Sequence, residues 1–162
     1  TADDDLCRLI EPGVCPTSRR FEVLKECQKR GITTVVWFSP LLPFINDTKE
    51  NIEGIVDYCV RAGVHAILCF GIGLTLREGN REYFYAALDK NFPAEPGKPS
   101  LKERYIKTYG YRYMATSSHH KSLMIYLAEL CHKNNIKLGT SSIFKWIEEF
   151  PEALPEQPGL FD

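Results

Sequence analysis

Two consecutive stretches of the chain share one order of hydrophobic and polar positions. Residues 18–38 place apolar side chains at helical spacing, stop at Gly31 and continue as a β-branched run, and residues 47–70 repeat this order around Gly63. The apolar stripe of the second stretch comprises Ile52, Ile55, Val56, Cys59 and Val60. Each stretch predicts an amphipathic helix, a left-handed glycine and a buried strand. The predicted helices are residues 18–30 and 47–62, and the predicted strands are residues 32–38 and 64–70.

This order predicts an α/β architecture, because near-continuous apolar strands need helices on both faces of a parallel sheet. Asp47, with Glu50 three residues later, predicts a capping box at the start of the second helix. A loop with two prolines, residues 39–46, follows the first strand, and a loop with glycines, residues 71–79, follows the second. Parallel strands end at the same edge of a sheet, where α/β proteins bind ligands. We therefore expect the two loops to lie side by side.

The remaining chain predicts a helical region without the helix and strand alternation. Helices are predicted over residues 80–91, 102–109, 119–132 and 142–150. The run at residues 136–138 is too short to assign. We expect an α/β unit over residues 1–92, a helical extension over residues 93–150 and a flexible tail over residues 151–162.

Composition narrows the class of protein without selecting a partner. The chain of 162 residues is 44% hydrophobic, enough for one core and too polar for a membrane span. A formal net charge of -1 gives no general reason to expect that the chain binds nucleic acid, although it does not exclude a local basic patch. The spacing of the six cysteines matches no zinc, haem or iron–sulfur pattern. We interpret them as small buried hydrophobes and expect a cytoplasmic protein.

Few local motifs indicate chemistry. Gly71 and Gly73 lack the third glycine of a dinucleotide fingerprint. His119 and His120 point about 100° apart on a helix, so we expect a solvated first turn rather than a shared metal ion. Aromatic and basic side chains alternate at Tyr105, Tyr109, Tyr111, Arg112 and Tyr113. This alternation suits either stacking on unpaired bases or packing of tyrosines against the domain.

Four segments in residues 1–113 form a familiar combination. They read TADDDLCRLIEPG, RRFEVL, SPLLPFIND and LREGNREYF, and they begin at Thr1, Arg19, Ser39 and Leu76. Together they resemble the carboxyl-terminal half of a radical S-adenosylmethionine protein of the spore photoproduct lyase-like group, which is similar to DNA repair photolyases. The resemblance implies a fragment of a partial (β/α)6 TIM-like barrel with parallel strands, followed here by C-terminal helices.

The resemblance also implies which cofactors the complete protein binds and which part of the protein binds each of them. Such proteins bind a four-iron four-sulfur cluster on a CxxxCxxC loop, with S-adenosylmethionine across the strand ends, and generate a 5′-deoxyadenosyl radical. This chain has no CxxxCxxC. We therefore expect the cluster on a missing N-terminal half of the same protein, and an inactive chain without it. The alternative is a non-enzymatic binding or assembly module built on a half-barrel.

Site residues are carried over from the family onto matching positions. The positions expected along the cofactor's adenosine are Ser39, Pro40, Asn46 and Asp47. The positions expected on the substrate side are Arg77, Tyr111 and Tyr113, with damaged nucleic acid as the implied substrate class. A half-barrel leaves strand edges and apolar faces uncovered, so we also expect self-association.

The carboxyl terminus carries a separate resemblance. The segment from Gln157 to Phe161, QPGLF, resembles the Gln-x-x-Leu-Phe peptides with which bacterial replication and repair proteins bind the sliding clamp. Pro158 stands where those peptides commonly carry leucine. The alternative is a tail that packs on its own domain.

Overall fold

The computed structural model describes residues 1–149 and has a mixed α/β fold. The helices are α1 (Asp4–Ile10), α2 (Thr17–Lys29), α3 (Lys49–Arg61), α4 (Asn80–Asn91), α5 (Leu101–Tyr109), α6 (His120–Lys133) and α7 (Thr140–Glu148). The strands are β1 (Val35–Trp37), β2 (Ala66–Leu68), β3 (Gly73–Thr75), β4 (Met114–Thr116) and β5 (Lys137–Leu138). Among the described residues, no helix has the length and apolar character needed to cross a bilayer. The predicted tail, with the segment from Gln157 to Phe161, lies outside the described residues.

A small parallel sheet organises the chain. Its order is β1-β2-β5, with Val35 opposite Ala66 and Ala66 opposite Lys137. α3 connects β1 to β2, and α6 leads into β5. The predicted parallel α/β arrangement is confirmed, and β5 supplies a strand where the sequence allowed no assignment. Three strands do not close a barrel, so the expected barrel fragment stays a prediction.

The boundaries of α2 and α3 follow from local chemistry. The predicted left-handed glycines are confirmed, with φ of 71° at Gly31 and 61° at Gly63. The predicted cap of α3 is wrong: Thr48 is the N-cap, and its hydroxyl accepts from the Asn51 N–H at 3.2 Å. Thr48 has the extended backbone that a cap needs. Asp47 is buried instead and makes a different bond, described below.

One hydrophobic core lies between the parallel sheet and the helices α2, α3 and α6. The Phe21 and Tyr58 rings stack at 4.2 Å between centroids, joining α2 to α3. The best-buried members of this core are Leu41, Ile52, Cys59, Ala62, Ile67, Leu127 and Cys131. Burying each large aliphatic side chain contributes about 1.5–3 kcal/mol. The core thus fixes the sheet whose carboxyl ends carry the two predicted loops.

The chain between β2 and α6 forms a second layer with its own core. β3 and β4 pair antiparallel, with Gly73 opposite Thr116, so the prediction of a plain loop over residues 71–79 is wrong there. A strand of three residues has too little alternation to detect, and only its partner stabilises it. The second core comprises Leu76, Leu88, Tyr105, Tyr109 and Ala115. It includes residues on both sides of position 92, where the domain division stays a prediction.

Candidate functional site

A cleft of about 1050 Å³ opens at the carboxyl ends of β1 and β2. Residues from both predicted loops line it, including Ser39 and Gly71, and Leu41 forms a bridge to Gly73. The expectation that the two loops lie side by side is confirmed. The cleft has the size of small-molecule sites, and it occupies the edge where parallel α/β sheets bind ligands.

The loop after β1 is held by buried apolar residues and exposes its first two residues to the cleft. Leu41, Leu42 and Pro43 are buried, whereas Ser39 and Pro40 lie exposed on the cleft wall. Pro43 has no N–H donor, so this buried position leaves none to be satisfied. The apolar residues therefore anchor the loop, and its ends remain available to a ligand.

Asn46 combines deep burial with an unpaired donor at the cleft. Its side chain is 2% exposed, and its Oδ1 accepts from the Leu42 N–H at 2.5 Å. Because that N–H requires an acceptor, the orientation of the amide is fixed. Within residues 1–149 the Asn46 Nδ2 has no hydrogen-bond partner. A buried amide N–H without a partner costs about 1–3 kcal/mol.

Asp47 lies behind the cleft wall and contacts another element. Its Oδ2 accepts from the Ser117 hydroxyl at 2.5 Å, and both side chains are buried. The Ser117 hydroxyl also accepts from the His119 N–H at 3.0 Å, immediately before α6. Asp47 thus joins the loop after β1 to the start of α6. Its predicted contact with a cofactor stays a prediction.

His120 lines the cleft, although sequence reasoning had put both histidines in a solvated turn. His119 is exposed, and His120 is half-buried with its Nδ1 accepting from the Ile72 N–H at 3.1 Å. No local signal distinguishes the two residues. Their difference depends on where the β3–β4 ribbon ends, which the sequence did not indicate.

Exposed aromatic rings form the rim of the cleft. Trp37 is 65% exposed and Phe70 is 62% exposed, with 5.2 Å between their ring centroids. Both line the cleft, as does Tyr83, which is 72% exposed. Three large aromatic side chains in one exposed group are typical of a surface that contacts a ligand or another chain.

The predicted substrate-side residues do not line the cleft, and they lie in the segments next to the β3–β4 ribbon, after β3 and before β4. The Arg77 Nε donates to the Tyr113 hydroxyl at 3.0 Å. Tyr111 is 94% exposed, and the Arg81 guanidinium lies 5.9 Å from its ring centroid. Arg81 also donates to the carbonyls of Leu76 and Tyr111, which fixes the turn before β4. These flanking segments therefore present arginine and tyrosine side chains that do not line the cleft, whereas the strands of the ribbon do line it.

The cysteines do not assemble into a metal site in the described part of the chain. All six are unpaired, and within residues 1–149 no group of three metal-ligating side chains occurs. Burial raises the pKa of Cys59 to about 12 and that of Cys131 to about 11. Cys7 is also buried, but Cys15 is exposed, so burial holds for only part of the set.

The fold and the cleft thus define an α/β protein with a ligand-sized site at the carboxyl edge of a parallel sheet. No family model and no solved structure matches the chain. It is 31% identical over 107 residues to the uncharacterized protein ORF301 of Acidianus two-tailed virus, covering 60% of this chain and 35% of that protein. Uncharacterized proteins of Mycobacterium tuberculosis and Mycobacterium bovis are 26% identical over 107 residues, covering 66% of this chain and 29% of theirs.

The chain spans about a third of the length of the curated relatives it matches. The shared region is therefore a part of longer proteins in a virus and in bacteria. The names of these relatives indicate no activity.

Proposed function

We propose that this chain supplies part of the S-adenosylmethionine and substrate pocket of a radical S-adenosylmethionine protein, with a partial (β/α)6 barrel as its complete form. The observation that carries the proposal is the buried, unpaired Nδ2 of Asn46 in the wall of the cleft. The resemblance had assigned Asn46 to the adenosine of the cofactor. An unpaired buried donor at that position is what an adenosine, with its acceptor nitrogens and hydroxyls, would satisfy.

The residues at the cleft fit the adenosyl group of S-adenosylmethionine. Pro40 and the rings of Trp37 and Phe70 offer flat apolar surface to a purine, and the Ser39 hydroxyl and Asn46 amide offer hydrogen bonds. These residues would bind and orient the nucleoside and exclude water. Bound beside a reduced iron–sulfur cluster, S-adenosylmethionine supplies radical chemistry. Residues 1–149 hold no ligand set for such a cluster.

The proposal is tested by titrating the chain with S-adenosylmethionine and measuring binding by calorimetry and by Trp fluorescence. Asn46→Asp keeps an acceptor for the Leu42 N–H and removes the donor, so we expect affinity to fall about tenfold or more. Asn134→Asp makes the same chemical change on the exposed carboxyl-terminal cap of α6 and serves as the matched control. Equal affinities of the Asn46→Asp variant and the unmodified protein would refute the assignment.

The radical part of the proposal has its own test. A polypeptide that includes any sequence encoded before Thr1 should carry CxxxCxxC and should contain iron and sulfide after anaerobic purification. Such a protein without the motif and without iron would favour the second candidate function.

The second candidate is a non-enzymatic assembly module, and the exposed Trp37 and Phe70 favour it. β1 is also an edge strand of the sheet, and an open edge beside exposed aromatic rings recruits other chains. Trp37→Ser should then lower the mass measured by sedimentation, whereas Val60→Ser, on exposed α3 surface, should not. A monomer at all concentrations would exclude self-association.

The surface of Arg77, Tyr111 and Tyr113 is the proposed contact for a nucleic acid substrate. Exposed tyrosine rings beside guanidinium groups can stack on unpaired bases and contact phosphates. Binding of a labelled single-stranded oligonucleotide should weaken on Tyr111→Ala and with added salt. The sliding clamp stays a predicted partner of the segment from Gln157 to Phe161. A peptide of that segment without detectable binding to a clamp would end that idea.

A further inference from the structure

The imidazole of His120 occupies an unusual place at the end of the β3–β4 ribbon. The Ser117 N–H donates to the Ile72 carbonyl at 3.0 Å, which continues the antiparallel pairing by one residue. In a regular antiparallel pair the Ile72 N–H would donate to the Ser117 carbonyl in return. Here the Ser117 carbonyl accepts from the His120 N–H at 3.1 Å. The Ile72 N–H donates to the His120 Nδ1 instead. The imidazole therefore replaces a backbone acceptor.

This bond fixes which nitrogen of His120 carries the proton in the neutral ring. Nδ1 accepts from a backbone N–H, so the proton of the neutral imidazole is on Nε2. The close packing around Gly71 holds the ring in place, since a Cβ there would lie 2.9 Å from the His120 Cε1. His120 thus lines the cleft with its second nitrogen as a donor.

One hydrogen-bonded network holds His120 and Asn46. Asp47 follows Asn46 in the chain and accepts from Ser117, and the Ser117 hydroxyl and carbonyl accept from the first two N–H groups of the turn that carries His119 and His120. The loop after β1 and the start of α6 are therefore one unit. Two side-chain donors of the cleft, on Asn46 and His120, belong to it.

We propose that His120 is a further ligand-contacting residue of the cleft, whose Nε2–H donates to an acceptor atom of the nucleoside that Asn46 also binds. Asp47 and Ser117 then act as positioning residues. They do not line the cleft, but their hydrogen bond fixes the loop that carries Asn46 relative to the turn that carries His120. This inference rests on the proposed function. The competing explanation is that His120 only satisfies the last N–H of the ribbon.

Two substitutions separate these explanations. In His120→Asn, the Oδ1 takes the position of Nδ1 and can accept from the Ile72 N–H, but the distal donor is lost. In His120→Gln, the amide nitrogen restores a distal donor. With adenosine as the probe, we expect about fivefold weaker binding to His120→Asn and a partial recovery in His120→Gln, the loss matching one neutral hydrogen bond.

Nitrogen-15 chemical shifts of the His120 ring provide a second measurement. If His120 had only a structural role, adding adenosine would leave these shifts unchanged. The free protein should show the tautomer with the proton on Nε2, and adenosine should shift the His120 Nε2 resonance. Ser117→Ala should perturb the His120 resonances in the absence of any probe, as expected for a positioning residue.

The outcomes distinguish the inference from the function on which it rests. If adenosine binds equally to the unmodified protein and to His120→Asn, and the Nε2 chemical shift does not change, the role of His120 is refuted and the proposed function is not affected. Absence of binding to the unmodified protein of both adenosine and S-adenosylmethionine overturns both.

Discussion

Removing one hydroxyl group from Tyr105 should loosen the loop that carries Asn46. Tyr105 is fully buried in the second core, and its hydroxyl donates to the Pro43 carbonyl at 2.6 Å. Burial raises the pKa of Tyr105, so the phenol remains a donor throughout the usual pH range. In Tyr105→Phe the ring keeps its edge-to-face contacts with Phe44 and Phe84, at 5.4 and 5.1 Å between centroids. The substitution therefore isolates the hydrogen bond between the second core and the loop.

The expected loss follows from the burial of both partners. A neutral hydrogen bond contributes about 1 kcal/mol net, and a buried carbonyl left unpaired costs about 1–3 kcal/mol. We expect the free energy of unfolding to fall by about 1–3 kcal/mol, which lowers Tm by roughly 2–4 °C for each kcal/mol in a chain of this size. Urea unfolding measures the change. Tyr83→Phe, on a residue that is 72% exposed, is the control and should stay within about 0.5 kcal/mol of the unmodified protein.

Hydrogen exchange adds a local measurement that global stability cannot supply. The N–H groups of Ile45 and Asn46 donate to the Leu42 carbonyl at 3.2 and 3.1 Å. In Tyr105→Phe these two amides should exchange faster, by a larger factor than the amides of α3, because local opening of the loop becomes easier. Unchanged stability, or uniform acceleration across α3 and the loop, would refute the link between the second core and the cleft.

Two further predictions test the packing of the fold. Gly73→Ala should destabilise the protein more than Gly31→Ala by thermal unfolding. Both glycines have positive φ, so both variants carry backbone strain, but a Cβ at Gly73 would also lie 2.4 Å from the Ala115 carbonyl oxygen, whereas nothing lies within 4 Å at Gly31. Equal losses would contradict the tight β3–β4 pairing. The free energy of unfolding should fall as pH rises from about 9, where thiols of the unfolded chain ionise, towards the pKa of about 12 at buried Cys59. The slope is at most about 1.4 kcal/mol per pH unit for that thiol. Cys59→Ala should reduce the slope by this contribution and leave that of Cys131, whereas the control Cys15→Ala should leave the slope unchanged.

The sequence predicted the elements whose signals are local and long. α3 has an apolar stripe over several turns, and its carboxyl end and the presence of a strand after it could be predicted from spacing and from Gly63 alone. Its first residue and the length of β2 could not, since β2 comprises only Ala66–Leu68 of the predicted residues 64–70. β3, β4 and β5 have two or three residues each, and they exist because a distant partner pairs with them. Asp47 was misassigned for a related reason, since Thr48 satisfies the same capping pattern and Asp47 has a better partner in Ser117.

The cleft itself could be predicted only in part. The rule that ligands bind at the ends of parallel strands was enough to select the loop after β1. Ser39, Pro40 and Asn46 within that loop were selected by the family resemblance, and all three line the cleft. His120 could not be selected in this way, because its place in the cleft depends on how the β3–β4 ribbon ends. The ribbon ends where the Ser117 carbonyl accepts from the His120 N–H and the Ile72 N–H donates to the His120 ring. This choice of hydrogen-bond partners is made in the folded state, and no local sequence pattern indicates it.

The apolar character of the loop after β1 has a physical explanation in the position of Asn46. A ligand donor is most effective when it is held before the ligand arrives, because ordering a mobile side chain on binding lowers affinity. Leu41, Leu42 and Pro43 are buried between the two cores, and the Leu42 N–H and the Asn51 amide hold the Asn46 side chain and carbonyl at 2.5 and 2.9 Å. A polar, mobile loop would expose the same amide to water and weaken its effect. The buried Leu41, Leu42 and Pro43 therefore belong to the proposed binding site as much as Asn46 does, since they hold the loop that carries its unpaired donor.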